Sequence, residues 1–245
     1  KEQIGRLEPT LAALGLPPIQ LPTMANDKAL TDLDFDSSFG LNSNAISTIT
    51  TSLTLDKQLF MVDTQINHSS NNLYMAISGD SFKASSYMST DTSSNQSQNS
   101  ALFAPLAAPF ALWLGSSQLE LSLGSLDFGD QVASNIYLNL FGNQRVLRLS
   151  SLNADLFNGQ LNANGRLDMR SSKPSFELQH SLKDIDLQLA LPALADSSDI
   201  SGLLSMDANL KGSGNSIEEL LATLSGSGQL TIDSPSYLAI NAEEM

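Results

Sequence analysis

From Gln118 to Asp168 the chain alternates apolar and polar residues almost without relief. Leu119, Leu121 and Leu123 are followed by Ile136, Leu138 and Leu140, then Leu147 and Leu149, then Leu161 and Leu167. Ser, Asn, Gln, Asp, Glu and Arg fill the positions between them. A period of two sends every second side chain to the same face of a sheet. The pattern predicts long β-strands that share one apolar face, and the functional question is what that face touches.

The same period runs through much of the chain. Leu33, Phe35, Phe39 and Leu41 predict one strand, with Gly40 at a bulge. Ile49, Leu53 and Leu55 predict a second, Leu59, Met61 and Ile66 a third, and Leu73, Met75, Ile77 and Phe82 a fourth. Asp56-Lys57 and Ser69-Ser70-Asn71-Asn72 supply the turns of an antiparallel meander. Beyond Gln118, turns are expected at Gly124, at Gly129, at Phe141-Gly142-Asn143 and at Asn158-Gly159. The last is the strongest hairpin signal, because Asn and Gly both tolerate the positive φ of a primed turn. Phe176, Leu178, His180 and Leu182 continue the pattern, as do Leu204, Met206, Ala208 and Leu210, and Leu230 with Ile232 begins a further strand.

Helical spacing is confined to short stretches. Leu7, Leu11 and Leu14 share a helical face before Gly15, and Pro17, Pro18 and Pro22 impose an extended linker. Asp186 to Leu194 reads as a helix that stops before Ser197-Ser198. Ser216 with Glu219 forms a capping box ahead of Leu220, Leu221 and Leu224, and Gly226 is the expected stop. Ser85 to Ser100 is a low-complexity stretch with little to bury, which predicts a loop. Ala101 to Leu114 is apolar but holds Pro105 and Pro109, so broken helical turns packed on the sheet are expected. It lacks the basic face of an interfacial membrane helix. The expected organisation is a helix and Pro-rich linker (1–26), an antiparallel meander (27–85), a low-complexity loop with an apolar helical segment (86–117) and a second β region (118–245).

Composition narrows the classes of function. The 245 residues carry 26 acidic against 12 basic side chains, a formal net charge of −14. Such a surface repels phosphate backbones, so no nucleic-acid partner is expected. No cysteine is present, which excludes disulfides, thiolate metal sites and cysteine nucleophiles. No apolar run is long enough to span a bilayer as a helix. With no signal-peptide pattern and no initiator Met, the chain is expected to be a soluble segment of a longer protein.

Candidate chemistry is sparse. Asp32, Asp34 and Asp36 alternate with Leu33 and Phe35, and no Gly or terminal Glu follows at calcium-loop spacing, so they read as a solvent-facing strand edge. Asp184 and Asp186 sit beside Lys183 as a surface pairing. His68 and His180 are far apart and neither has a carboxylate at ligand spacing. Gly212-Ser213-Gly214 precedes a helix but lacks the third Gly and the Lys of a phosphate loop. No Gly-x-Ser-x-Gly elbow occurs. The expectation is a non-enzymatic protein without a cofactor or metal.

One ordered succession of motifs carries a resemblance. Leu152-Asn-Ala-Asp-Leu-Phe-Asn-Gly-Gln-Leu-Asn-Ala-Asn-Gly-Arg-Leu-Asp168 leads to Leu178-Gln-His-Ser-Leu-Lys-Asp-Ile-Asp-Leu187. Ile200-Ser-Gly202, Asp207-Ala-Asn-Leu-Lys-Gly-Ser-Gly214 and Leu220-Leu-Ala-Thr-Leu-Ser-Gly-Ser-Gly-Gln-Leu230 follow. Together they resemble the C-terminal region of the AsmA family over roughly 114–232, while the first half is only generically similar. Asn158 stands where the family has the first Gly of its usual pair.

The resemblance implies a mainly β protein with a few short helices, in which a long, curved, antiparallel sheet forms an open groove and helices pack on or cap it. It implies a periplasmic body tethered to the bacterial inner membrane by an N-terminal helix absent from this sequence, and a role in outer-membrane biogenesis. It also implies phospholipid or another envelope lipid as cargo, its acyl chains shielded by the groove, and possible envelope protein partners. The expected lipid-facing residues are Leu119, Leu121, Leu123, Ile136, Leu138, Leu140, Leu147, Leu149, Leu161 and Leu167. The runner-up is an envelope scaffold that influences outer-membrane protein assembly without holding lipid. A β-solenoid adhesin segment fits less well because no fixed repeat period exists. A transmembrane barrel is disfavoured by 6% aromatics with no paired girdles.

Overall fold

The computed structural model describes residues 29, 31–42, 46–87, 116–129, 131–195 and 200–237. The expected helix and linker of 1–26, the stretch 88–100 and the apolar segment Ala101 to Leu114 lie outside the described residues.

Eleven strands form one sheet in which spatial order follows chain order. They are β1 (Leu33–Leu41), β2 (Ile46–Leu55), β3 (Gln58–Asn67), β4 (Asn72–Lys83), β5 (Ser116–Asp127) and β6 (Val132–Asn143). Then come β7 (Val146–Leu156), β8 (Gly159–Asp168), β9 (Ser175–Asp186), β10 (Ile200–Ser213) and β11 (Ser225–Tyr237). The sheet is curved and does not close on itself. At about 4.8 Å per strand it extends for roughly 48 Å from β1 to β11.

Every neighbouring pair is antiparallel except β4 and β5, which run parallel. The expected long antiparallel sheet is mixed at this one junction. Parallel neighbours cannot be joined by a tight turn and need a crossover of a dozen or more residues. Residues 84–115 provide that length, beginning with a 3-10 turn at Ala84–Ser86.

Turn chemistry sets the other connections. Asp56 and Lys57 both have positive φ (47° and 69°), as do Gln144 and Arg145 (45° and 64°) and Phe157 and Asn158 (49° and 60°). Each pair is the two-residue loop of a hairpin whose primed twist suits the flanking strands. Three expected turns therefore move. The hairpin after β6 bends at Gln144-Arg145, while Phe141, Gly142 and Asn143 remain in the strand. The next bends at Phe157-Asn158, one residue earlier than expected, because Leu156 pairs directly with Gly159. Gly124 lies inside β5, where a Cβ would stand 2.5 Å from the carbonyl oxygen of Asp80. Close approach of a neighbouring backbone explains that glycine, whereas Gly129 does occupy a connection, at φ 107°.

Gly40 pairs in regular register with Thr48, so no bulge occurs in β1. Helix α1 (Leu187–Ala195) follows β9 and α2 (Ile217–Thr223) follows β10, placing one at each end of the strands they extend. The Ser216 cap holds: its Oγ accepts from the Glu219 N–H at 3.3 Å, while Glu219 Oε2 accepts from the Asn215 N–H at 3.0 Å. Gly226 is not the stop for α2. Leu224 leaves the helix at ψ 127°, and Gly226 is already in β11.

Candidate functional site: the apolar face of the sheet

Cross-strand register turns the alternation into continuous rows. One row reads Phe35, Leu53, Phe60, Gly79, Leu123 and Ile136 across β1 to β6. It continues from Ala154 through Leu161, Leu182 and Met206 to Leu230. A second runs Thr51, Val62, Ile77, Leu121, Leu138, Leu152, Ala163, His180, Ala208 and Gly228. A third runs Phe39, Ile49, Thr64, Met75, Leu119, Leu140, Leu149, Gly165, Leu178, Leu210 and Gly226. A fourth runs Leu41, Ser47, Ile66, Leu73, Ser117, Gly142, Leu147, Leu167, Phe176 and Gly212. All ten residues singled out from the sequence fall in these rows, so the structure gathers them on one face.

The face reaches further than the alternation alone predicts. Register shifts against both neighbours interrupt β7 between Leu149 and Leu152. Such an irregularity reverses which parity faces inward. Leu152, Ala154 and Leu156 thereby join the face that Leu147 and Leu149 begin. The signal for it is present in the sequence: Ser150 and Ser151 are adjacent polar residues that break the period. The opposite face carries Asp34, Asp63, Gln65, Gln118, Glu120, Asn139, Asn162, Asn164, Gln179, Asp207 and Asn209.

The apolar face is packed side by side more than it is roofed. Leu123 (5% exposed), Ile136 (7%), Leu147 (8%) and Leu167 (8%) are buried, while Leu119, Leu121, Leu138, Leu140, Leu149 and Leu161 are only half-buried. No described large side chain is sealed below 2% exposure. Each strand packs chiefly against its sequence neighbours, and among the described residues α1 packs mainly on β10 and β9 and α2 on β10. Among the described residues no second layer covers the rows, and at the first strand Phe35 (65%), Phe39 (69%) and Leu41 (68%) stand in the open.

One end of the face is closed by aromatic and polar contacts. Phe82 meets Phe60 edge-on at 5.9 Å between ring centroids and stacks on Tyr87 at 5.2 Å. The Tyr87 hydroxyl donates to Asp56 Oδ2 at 2.7 Å and accepts from the Gln58 side-chain amide at 3.2 Å. Burial, then the Asp56 carboxylate, pushes the Tyr87 hydroxyl well above the ordinary tyrosine range. A cavity of about 640 Å³ adjoins this network, lined by Asp32, Asp56, Lys57, Gln58, Lys83 and Asp127 among others.

The remaining titratable groups are dispersed. Among the described residues no three His, Asp or Glu side chains gather as metal ligands. Asp34 and Asp36 sit exposed on the first strand, pointing away from the apolar rows. His68 shares a 2.8 Å hydrogen bond with Ser47 Oγ. Arg170 and Arg166 hold the Asp168 carboxyl well below the usual carboxylate range, Arg170 through side-chain and backbone hydrogen bonds. No described helix is long and apolar enough to cross a membrane.

Comparison with known proteins extends the resemblance beyond the second half. The AsmA family model matches residues 24–235, covering β1 to β4 as well as β5 to β11. The rows likewise run through the first four strands, which present the same face as β5 and β6. No curated protein and no solved structure matches the chain. On the strength of the family match, the chain belongs to the AsmA family.

Proposed function

We propose that this chain is the periplasmic part of an inner-membrane-tethered protein of envelope biogenesis, and that its apolar sheet face shields phospholipid acyl chains in transit between membranes. Family membership supports the envelope role. The lipid reading rests on a single observation: four apolar rows cross the sheet with no second layer over them among the described residues. Hydrocarbon laid along such rows leaves water at ~0.8 kcal/mol per methylene, so a few carbons in contact are enough to hold a chain loosely. Loose, repeated contact suits movement along the sheet better than a closed pocket. The work needs no nucleophile, acid or metal, and the protein acts without catalysis.

Native mass spectrometry of the purified chain tests this reading. Phospholipid is expected to co-purify, and to be lost when Leu121, Leu138 or Leu149 is replaced by Asp while circular dichroism retains the β signal. A chain that carries no lipid, and whose Asp variants behave as the parent does, supports instead an envelope scaffold.

A further inference from the structure

His180 is the single ionisable side chain in the four apolar rows. It stands between Ala163 of β8 and Ala208 of β10. Its nearest same-face neighbours along β9 are Leu178 and Leu182. The ring is half-buried; Nδ1 is buried without a hydrogen-bond partner, and neither ring nitrogen bonds to a described residue. A polar ring sealed on one side among hydrocarbon costs free energy that a leucine here would not. An orphaned buried N–H is rarer than an orphaned lone pair, so the proton belongs on Nε2. From β7 to β11 the rows thus hold one side-chain hydrogen-bond donor among otherwise apolar residues, flanked by the methyl-sized side chains of Ala163 and Ala208.

We infer that His180 is where the sheet recognises the head–tail boundary of a bound acyl lipid, its Nε2–H donating to an ester carbonyl oxygen. This rests on the lipid reading above and adds the chemical class of the guest. An uncharged acceptor fits better than a phosphate or carboxylate. No lysine or arginine lies in the four rows to balance an anion, and the chain as a whole carries a formal charge of −14. An ester carbonyl is the oxygen that sits beside hydrocarbon in a diacyl lipid. The small side chains of Ala163 and Ala208 on either side of His180 suit the bulkier glycerol end.

The test compares diacyl phosphatidylethanolamine with its dialkyl ether counterpart, which keeps the phosphate but lacks the carbonyls. Both are titrated in detergent micelles onto the full chain with 15N-labelled histidine. His68, already bonded to Ser47, is the internal reference. The diacyl lipid is expected to bind about 3- to 10-fold more tightly, one hydrogen bond's worth, and to shift the His180 nitrogens alone. His180→Phe, which keeps the ring but removes the donor, abolishes the preference, and His180→Gln restores part of it. Equal binding of the two lipids with unmoved His180 signals overturns the inference and leaves the lipid reading standing. Binding of neither lipid overturns both.

Discussion

The hydroxyl of Tyr87 donates to Asp56 at 2.7 Å, tying the start of the crossover after β4 to the hairpin between β2 and β3. Asp56 does three jobs at once. It adopts the positive φ of the turn, its Oδ1 accepts the backbone N–H groups of Thr31 and Asp32 at 3.0 Å each, and its Oδ2 takes the tyrosine. Tyr87→Phe removes one charge-assisted bond and is expected to lower stability by about 1–2 kcal/mol in urea denaturation. Asp56→Ala is expected to cost more, because it also strips the two N–H groups and the turn preference.

Alkaline titration reads the same contact. The chain has four tyrosines, and Tyr87 is expected to ionise last when absorbance at 295 nm is followed. Its folded value lies above its unfolded one, so its contribution to stability is intact below about pH 10 and is lost as pH rises towards the folded value. In Asp56→Asn the late phase moves to lower pH.

The hairpin between β7 and β8 separates two roles that look alike in sequence. Asn158 occupies the left-handed region at φ 60°, whereas Gly159 is a strand residue whose added Cβ would lie 2.4 Å from the Lys183 carbonyl oxygen. Asn158→Gly is therefore expected to be nearly neutral. Gly159→Ala, pressed against backbone that cannot swing aside, is expected to cost about 2 kcal/mol or more. Thermal melts of the two variants check the assignment, and the reverse order would place the turn at Asn158-Gly159 after all.

At the far end of β8 the Asp168 carboxylate accepts from Arg170 Nε at 2.9 Å and from Arg166 at 3.0 Å. Arg170→Met is expected to raise the Asp168 pKa towards the ordinary carboxylate value when followed by 13C NMR. Because the folded value is depressed, the stabilisation from this pair is present above about pH 4 and fades as pH falls towards the folded value. The partners are solvent-exposed, so added salt shrinks the effect.

The sequence made the strands legible because a half-buried sheet writes its faces into every second residue. β1 is bounded by the very residues, Leu33 and Leu41, that the alternation marks. Turn positions were less legible. Glycine suggests bending, but Gly124, Gly142 and Gly159 are strand residues, Gly124 and Gly159 where a neighbouring backbone approaches closely, while Gln144-Arg145 and Phe157-Asn158 take the positive φ. The parallel junction of β4 and β5 was hidden for a different reason: strand direction is set by the crossover, not by the residues that pair. The ten face residues were readable from period alone, whereas Leu152, Ala154 and Leu156 needed the register shift at Ser150-Ser151 to be seen. His180 was visible as a strand residue, but its place in the row required Ala163 and Ala208 to be aligned beside it.

The most direct measurement is a photocrosslinking scan along β5 and β6 in living cells, with a photoreactive amino acid placed at one position at a time. If hydrocarbon lies on the apolar rows, phospholipid adducts form at Leu119, Leu121, Leu138 and Leu140 and fail to form at Gln118, Ser122 and Asn139 between them. Adducts on neither set, or on both alike, would mean that the leucines face only the protein's own atoms or that the chain meets lipid by chance, and the account would be wrong.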